Sequence, residues 1–345
     1  MKKTVLTILQ YVFFLGLGIF LVWWSINKMG DKNWVECKTA LRSAKYTLFI
    51  PVFFILVAAH LSRAYRWKIL MKPMGYNPRL INTFFAVMIG YLANLALPRL
   101  GEVLKCTILA KYEKVPADKL VGTILVERAI DVVSLFVIFI IAIATQVNII
   151  GGYAKETFNT YFSGNIQATV IKLSIIIGSF IIIYFVFKYI FKKYPHILFI
   201  KKIKTLVKGV GAGLSSVKKL ENKTTFILHT IFIWCCYAGG TYLGFFVMIE
   251  TSVLPFAATF PVLSFGSIGM IITPGGIGIY QVFIMKVMAL YGIDEGLGYA
   301  NGLLQWSAQF FIILLVGFVS LIALPYYNRH AKKLTMAQSK SENLT

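Results

Sequence analysis

Acidic side chains are scarce in this sequence: 13 residues are Asp or Glu, against 35 Lys or Arg, in a chain of 345. Charged residues of both signs make up 14% of the chain, whereas an ordinary soluble domain has about 25%. With 58% hydrophobic residues, most segments are apolar on every side, and lipid is the solvent that tolerates such a surface. The composition excludes an ordinary soluble enzyme and predicts an all-α polytopic membrane protein.

The scarcity of acidic groups leaves a formal net charge of +22, which in a soluble protein would suggest a nucleic-acid partner. Here the basic residues are confined to short stretches between apolar runs. In a membrane protein such residues report topology and contact with anionic lipid. We therefore expect contact with the anionic inner leaflet and no binding of nucleic acid.

Residues that carry metal or nucleotide chemistry are also few. The four cysteines and four histidines have none of the spacings of a zinc site; they are Cys37, Cys106, Cys235, Cys236, His60, His196, His229 and His330. The sequence contains no Walker loop, no Gly-rich dinucleotide motif after a strand and no GxSxG motif. We expect no cofactor and no metal site, and we interpret the cysteines as small core residues.

Six apolar runs are long enough to cross a membrane, because about 20 helical residues span about 30 Å of hydrocarbon. They are 4–26, 46–62, 120–147, 168–188, 224–249 and 299–325. The first is too long for a signal peptide and has no A-x-A-like cleavage site, which indicates an uncleaved transmembrane helix. Two further apolar stretches, about 80–110 and 255–290, are interrupted near their middles, at Pro98 and Pro274. Each predicts two half-helices that form a re-entrant hairpin.

The basic residues predict that these two hairpins are inserted from opposite faces. If both are re-entrant, 25 Lys or Arg fall in cytoplasmic segments and 8 in outer ones, with 27–45 counted as an outer loop. This is a strong positive-inside bias. The predicted fold is one membrane domain over 1–330, with about six full transmembrane helices and two oppositely inserted hairpins as an inverted repeat. A polar cytoplasmic tail follows at 331–345, and both termini are cytoplasmic.

Residues 200–220 have apolar side chains at helical spacing with lysines distributed around them. The pattern predicts an amphipathic basic helix that lies on the inner leaflet. A solvated linker is the alternative.

Five charged residues lie inside apolar segments, where each costs about 2.5–3.5 kcal/mol to insert. They are Arg99, Glu102, Glu127, Arg128 and Asp131. The i, i+3 spacing predicts that Arg128 reaches Asp131, and Arg99 and Glu102 have the same spacing at the first break. Such a network would bind a proton or a lipid headgroup; the alternative is an ion-pair network that only fixes the hairpin to the helix.

The two breaks predict a second kind of anion site. A half-helix that begins in the membrane presents free N–H groups and a partial positive charge at its N-terminus. Arg99 adds a full charge after Pro98, Asn94 is a further candidate for headgroup binding, and Gly101 contributes to the break together with Pro98. After Pro274, the glycines Gly275, Gly276 and Gly278 would allow a phosphate to approach the backbone; close helix packing is the other explanation for them.

The motifs in combination resemble those of a known family. They are Arg63-Ala-Tyr-Arg66-Trp67, Asn94 with Pro98-Arg99-Leu100-Gly101-Glu102, Glu127-Arg128 with Asp131, and Pro274-Gly275-Gly276-Ile277-Gly278. Together they are similar to the transmembrane region of the lysylphosphatidylglycerol synthetases, a flippase-like family also called UPF0104. The resemblance does not include the soluble aminoacyl-transferase domain, so lysylation is not expected, and Gln281 stands where an acidic residue often follows the glycine turn.

The resemblance implies a bacterial inner-membrane protein that moves a phospholipid or a lipid-linked precursor, such as a polyprenyl-linked lipid, between leaflets. We therefore expect a transporter and not an enzyme. Two alternatives remain open: a membrane-embedded headgroup transferase with Glu102 or Glu127 as base, and a scaffold for a separate lipid-modifying enzyme. A second copy of the chain or such an enzyme would then be the protein partner.

Overall fold

The computed structural model describes residues 30–97, 100–147 and 220–342, together with residues 16, 20, 22–24 and 27. Every regular element in these ranges is helical, which confirms the all-α class. The helices are α1 (30–43), α2 (Phe49–Met71), α3 (Leu80–Ala96), α4 (Leu100–Glu113), α5 (Ala117–Thr145), α6 (Lys223–Phe245), α7 (Thr259–Ile272), α8 (Ile279–Ala289) and α9 (Glu295–Glu342).

Three helical segments in the described part are long and apolar enough to cross a membrane: Tyr46–Met74, Lys223–Phe245 and Glu295–Arg329. They contain the predicted spans 46–62 and 299–325 and cover 224–249 as far as Phe245, and the 29-residue helix α5 overlaps the fourth, 120–147, as far as Thr145. The predicted span 168–188 and the basic helix 200–220 lie outside the described residues. Of the predicted span 4–26, the structure describes five residues, all of them helical.

The prediction that 27–45 is a loop is wrong, because residues 30–43 form α1. Its outer location stays a prediction. Cys37 and Ala40 are buried on one face of this helix and pack with Val247 and Tyr299. The charged residues of the segment lie on its other faces, so the overall polarity of the sequence concealed an amphipathic helix. The four cysteines divide in a similar way: Cys37 and Cys106 are buried, as predicted, but Cys235 is exposed.

Both interrupted stretches form helical hairpins. In the first, α3 and α4 approach so closely that a Cβ on Gly101 would overlap the carbonyl oxygen of Gly90. In the second, α7 and α8 are joined by a short 3-10 turn at Pro274–Gly276, and a Cβ on Gly269 would lie 3.0 Å from the Cα of Tyr280. Small residues at these positions allow the paired helices to pack backbone against backbone.

The second hairpin lies along the first part of α9. Lys286, near the end of α8, pairs with Glu295. Further along, Gly302 packs on Gln281, and the indole Nε1 of Trp306 donates a 2.6 Å hydrogen bond to the carbonyl of Gly275 in the turn. The tip of this hairpin is therefore level with Trp306.

The first hairpin lies along the remainder of α9 and points the opposite way. Gly317 packs on Leu92 near the end of α3, and Asn328 exchanges two 2.9 Å amide hydrogen bonds with Asn82 near its start. A Cβ on Gly275 would lie 3.6 Å from Leu95, so the tips of the two hairpins meet. The hairpins thus lie end to end, with their open ends at opposite ends of α9.

Candidate functional site

A cavity of 1310 Å³ lies where the two hairpin tips meet. Its wall includes residues of α2, both hairpins, α5, α6 and α9. One part of the wall is charged, with Arg63, Glu102, Arg128 and Asp131, and most of the remainder is apolar. A partly open cavity of this size with one charged region suits an amphiphile better than a fully polar solute.

The charged region is built on an ion-pair network between α2 and α5. Arg63 donates to Glu127 at 2.9 Å and to Asp131 at 2.5 Å, and Arg66 donates to Asp131 at 2.7 Å. Arg63, Arg66 and Glu127 are at most 5% exposed. Removal of one partner from such a network leaves an uncompensated buried charge, so the network holds the two helices in a fixed register.

A second ion pair connects α5 to the tip of the first hairpin. Arg128 donates to Glu102 Oε1 at 3.2 Å, and the two side chains are 42% and 30% exposed. Asn94 accepts a 2.8 Å hydrogen bond from the backbone N–H of Gly101 and approaches Glu102 with its amide group. The guanidinium of Arg128 makes one hydrogen bond to Glu102, so it retains donors for an anionic group in the cavity.

A lysine completes the set of charges. Lys105 in α4 is fully buried, and its stem lies over the backbone of Gly90. Its ammonium has no hydrogen-bond partner among the described residues and lies 4.7 Å from the ring centroid of Tyr91 and 5.8 Å from that of Trp67. Cation–π contacts of this kind compensate in part for lost hydration.

Positive charges exceed negative ones in this part of the structure. The described charged side chains of the site are Arg63, Arg66, Lys105 and Arg128 against Glu102, Glu127 and Asp131. An excess cation in an apolar enclosure is costly unless an anion joins it. The arrangement is therefore suited to a ligand that brings a negative charge.

Three of these cations were missed as site residues from the sequence. The positive-inside count places all three, Arg63, Arg66 and Lys105, among the 25 cytoplasmic basic residues. The first two lie directly after the apolar run 46–62, and the helix continues through them to Met71. Their i, i+3 spacing matches the i, i+4 spacing of Glu127 and Asp131, and this was the available signal for complementary helix faces.

The pairing predicted within the cluster is wrong in one respect. Arg128 binds Glu102 and not Asp131, whose two oxygens accept from the arginines of α2. Residues 127 and 128 are adjacent on a helix and point about 100° apart, so only one of them can face α2. Arg99 and Pro98 lie outside the described residues, and their predicted roles stay predictions.

The breaks offer fewer free N–H groups than the sequence predicts. At the first, the Asn94 side chain caps Gly101, and the N–H of Leu100 bonds to the carbonyl of Leu97 at 3.2 Å. At the second, the N-terminus of α8 packs against Gly269 of α7. The ends of both half-helices are therefore partly satisfied or covered by the protein itself.

The three glycines of the second break differ in their surroundings. All three have left-handed φ values, +64° at Gly275, +75° at Gly276 and +80° at Gly278, a conformation that favours glycine. Gly275 lies in the cavity wall, whereas Gly276 is buried and a Cβ there would overlap the sulfur of Met270. Gly275 is thus placed for contact with a ligand, and Gly276 is needed for the shape of the turn.

Opposed helical hairpins, long apolar helices and a cavity with a charged region together define a multi-pass membrane protein. The chain belongs to the family of the lysylphosphatidylglycerol synthase TM region, whose sequence model matches residues 8–317. A curated relative is the UPF0104 membrane protein MJ1595 of Methanocaldococcus jannaschii, which is 21% identical over 344 residues covering 93% of this chain and 94% of that protein. No solved structure matches the chain. The resemblance stated from the motifs is confirmed.

Proposed function

We propose that this protein moves a phospholipid or lipid-linked precursor with an anionic headgroup between the two leaflets of a membrane. The observation that carries the proposal is the cavity between the hairpin tips, because its wall combines a charged region with apolar surface. The buried side chains of Arg66, Lys105 and Glu127, which lie outside the wall, bring the site to four cations against three anions. An anionic headgroup requires the charged part of the site, and acyl or prenyl chains require the apolar part of the wall. Family membership and the apolar helices agree with a lipid substrate.

The end-to-end hairpins supply a route. Trp306, level with one tip, is 11 residues from Glu295, and Gly317, near the other tip, is 11 residues from Asn328. At 1.5 Å per residue each hairpin then extends about 16 Å along α9, or roughly half of a 30 Å hydrocarbon layer. A headgroup bound at the tips would lie near mid-depth, and small movements of either hairpin would open it to one side, as in transporters with inverted repeats.

The state of the carboxylates favours transport over headgroup transfer. Glu127 is fully buried and bonded to Arg63, and Glu102 accepts from Arg128. A general base needs a free carboxylate within reach of its substrate. Glu127 does not line the cavity, and Glu102, which does, already has one oxygen bonded to Arg128. We therefore propose a transporter without enzymatic activity, with Arg99, Glu102, Glu127, Arg128, Asp131, Asn94 and Gly275 as the headgroup region.

Basic residues at one end of the helices support an orientation in the membrane. Lys72, Arg79, Lys111, Lys119 and Arg329 lie at the end where α3 begins and α9 leaves the bundle. We propose that this end faces the cytoplasm of a bacterial inner membrane, which places Glu295 and Glu250 outside.

A leaflet assay with reconstituted protein tests the proposal. Full-length chain is placed in phosphatidylcholine vesicles with a reporter lipid that is anionic, zwitterionic or cationic, or with a polyprenyl phosphate, and exposure in each leaflet is followed. We expect anionic reporters to cross at least about tenfold faster than in empty vesicles and Arg128→Gln to remove most of that gain, since charge-assisted hydrogen bonds contribute about 1.5–3 kcal/mol.

The matched control is Arg79→Gln. Arg79 forms an ion pair with Glu113 at 3.0 Å and its side chain is 43% exposed, nearly as for Arg128, but it lies outside the cavity wall. This variant should transport as the parent does. Equal rates for reporters of all charges, or equal loss in both variants, would contradict the proposal.

A further inference from the structure

Two buried N–H donors in the cavity wall have no hydrogen-bond partner within the described ranges. They are the imidazole of His60 on α2, which is 3% exposed, and the indole Nε1 of Trp234 on α6, which is 9% exposed. Buried polar groups are rarely left unsatisfied in folded proteins, and those that are call for a partner supplied by water or ligand. Neither residue takes part in the ion-pair network.

The two donors lie at the same level of the cavity. Helices α2 and α6 run antiparallel, because Ser62 Oγ lies 2.8 Å from His229 Nδ1 while Leu56 packs on Gly240. Trp234 lies about midway between His229 and Gly240 along α6. It is therefore opposite His60, which lies between Leu56 and Ser62 on α2.

At the level of His60 and Trp234, the cavity wall changes from charged to apolar. Along α2 the residues that face the cavity, at helical spacing, are Arg63, His60, Leu56, Val52 and Phe49. Helix α5 runs antiparallel to α2, since Trp67 bonds to Thr123 and Arg63 to Glu127. Its wall residues change in the same direction, from Asp131 to Val132 and Leu135. A bound lipid thus has one favourable orientation, with its headgroup near Arg128 and its chains toward Phe49.

The groups that a lipid presents one helical turn below its phosphate differ between lipid classes. A diacyl glycerophospholipid has two ester carbonyls there, which are acceptors only. A prenyl phosphate has only hydrocarbon. Imidazole in its neutral form has one N–H and indole is a donor only, so two donors face the position of two carbonyl acceptors.

We infer that His60 and Trp234 bind the ester carbonyls of a diacyl glycerophospholipid, and that the substrate belongs to this class and not to the polyprenyl lipids. The inference rests on the proposed function, because the headgroup position is taken from it. His60 and Trp234 then select the lipid by its glycerol ester region, while Arg128 binds the phosphate.

Ether lipids isolate these contacts. Diacyl and dialkyl phosphatidylglycerol share headgroup, charge and chain length, and the dialkyl form lacks both carbonyls. We measure the thermal stabilisation of the full-length chain in detergent as each lipid, or undecaprenyl phosphate, is titrated in, and derive an apparent Kd for each. Two neutral hydrogen bonds predict that the diacyl form binds about tenfold tighter than the other two.

Variants assign the preference to the two donors. His60→Phe and Trp234→Phe should each reduce the diacyl to dialkyl ratio to about threefold, and the double variant should reduce it to about one. His60→Gln, which keeps an N–H donor, should retain most of the preference for the diacyl lipid. Tyr291→Phe is the matched control, because the Tyr291 hydroxyl is also buried without a described partner but lies outside the cavity wall. A ratio taken within one preparation is independent of the fraction that folds.

The outcomes separate this inference from the proposed function. An equal affinity of the parent protein for diacyl and dialkyl lipid, tighter binding of undecaprenyl phosphate, or an unchanged ratio in the double variant overturns the inference, even if anionic lipid still crosses in vesicles. An ester preference without leaflet transfer would support the binding site and overturn transport. Binding of none of the three lipids overturns both.

Discussion

At the scale of single residues, the site contains two kinds of ion pair with different physical consequences. The pairs that Arg63 and Arg66 make with Asp131 are enclosed, with arginine side chains at most 6% exposed. The Arg128–Glu102 pair faces the cavity and is 42% and 30% exposed. An enclosed pair is strongly destabilising to break, whereas a partly exposed pair contributes little to folding and its groups remain open to a ligand.

This difference predicts opposite effects for two nearly isosteric substitutions. Asp131→Asn should reduce the free energy of unfolding by about 3–5 kcal/mol, because two buried arginines lose a carboxylate. Glu102→Gln should change it by about 0–1 kcal/mol but should alter the transport rate, since Arg128 loses its competing anion. Denaturant or thermal unfolding of lipid-free protein in detergent gives the first quantity. Similar losses of stability in both variants would show that the Arg128–Glu102 pair is structural as well.

At the scale of elements, the turn of the second hairpin depends on glycine for backbone reasons. Gly276→Ala introduces a side chain at φ +75° and against Met270, so we expect a lower melting temperature with and without lipid. The left-handed conformation alone costs about 1–2 kcal/mol. The same φ strain without overlap is present in Gly292→Ala, at φ +78° in open space. Gly239→Ala, which meets nothing within 4 Å, should be close to neutral.

The comparison of these three variants decides between packing and ligand contact at the turn. The melting temperature should fall further in Gly276→Ala than in Gly292→Ala, and the difference measures the effect of the overlap with Met270. If the lipid-free melting temperature of Gly276→Ala matched the parent and only the lipid-induced shift were lost, Gly276 would contact the ligand after all.

The elements were more predictable from the sequence than the contacts between them. Apolar length predicted α2, α5, α6 and α9, and Pro98 and Pro274 marked both hairpins, because proline and glycine interrupt helices by local sterics. The partners of Asp131 were harder to predict. The spacing of Arg63 and Arg66 indicates a complementary helix face, but these residues are more than 60 positions away and their contact depends on how α2 and α5 pack. The helix within 27–45 was not predicted for a related reason, since the burial of Cys37 depends on Val247 and Tyr299.

At the scale of the whole molecule, α9 acts as a common support for both hairpins. Successive residues along α9 contact first the second hairpin and then the first. The pairs, in order along α9, are Glu295 with Lys286, Trp306 with Gly275, Gly317 with Leu92 and Asn328 with Asn82. Glu295 and Arg329 are 34 residues apart, or about 51 Å of helix, which exceeds the hydrocarbon thickness of about 30 Å. If α9 spans the bilayer, the open ends of the hairpins must lie on opposite faces.

Cysteine accessibility in intact cells tests that consequence. In a background without the four native cysteines, Glu250→Cys and Glu295→Cys should react with an impermeant thiol reagent added outside. Lys72→Cys and Arg329→Cys should react only after permeabilisation. Lys72 follows the C-terminal end of α2 and pairs with Glu221 just before α6 begins, at the end of the bundle opposite Glu250. Positions 72, 250 and 295 lie at or just beyond helix ends, and Arg329 ends the part of α9 that is apolar enough to cross a membrane, so labelling reports the side of the membrane and not local unfolding. Labelling of positions 295 and 329 from the same side would mean that α9 does not cross, that both hairpins approach from one face, and that the cavity between their tips is not at mid-depth.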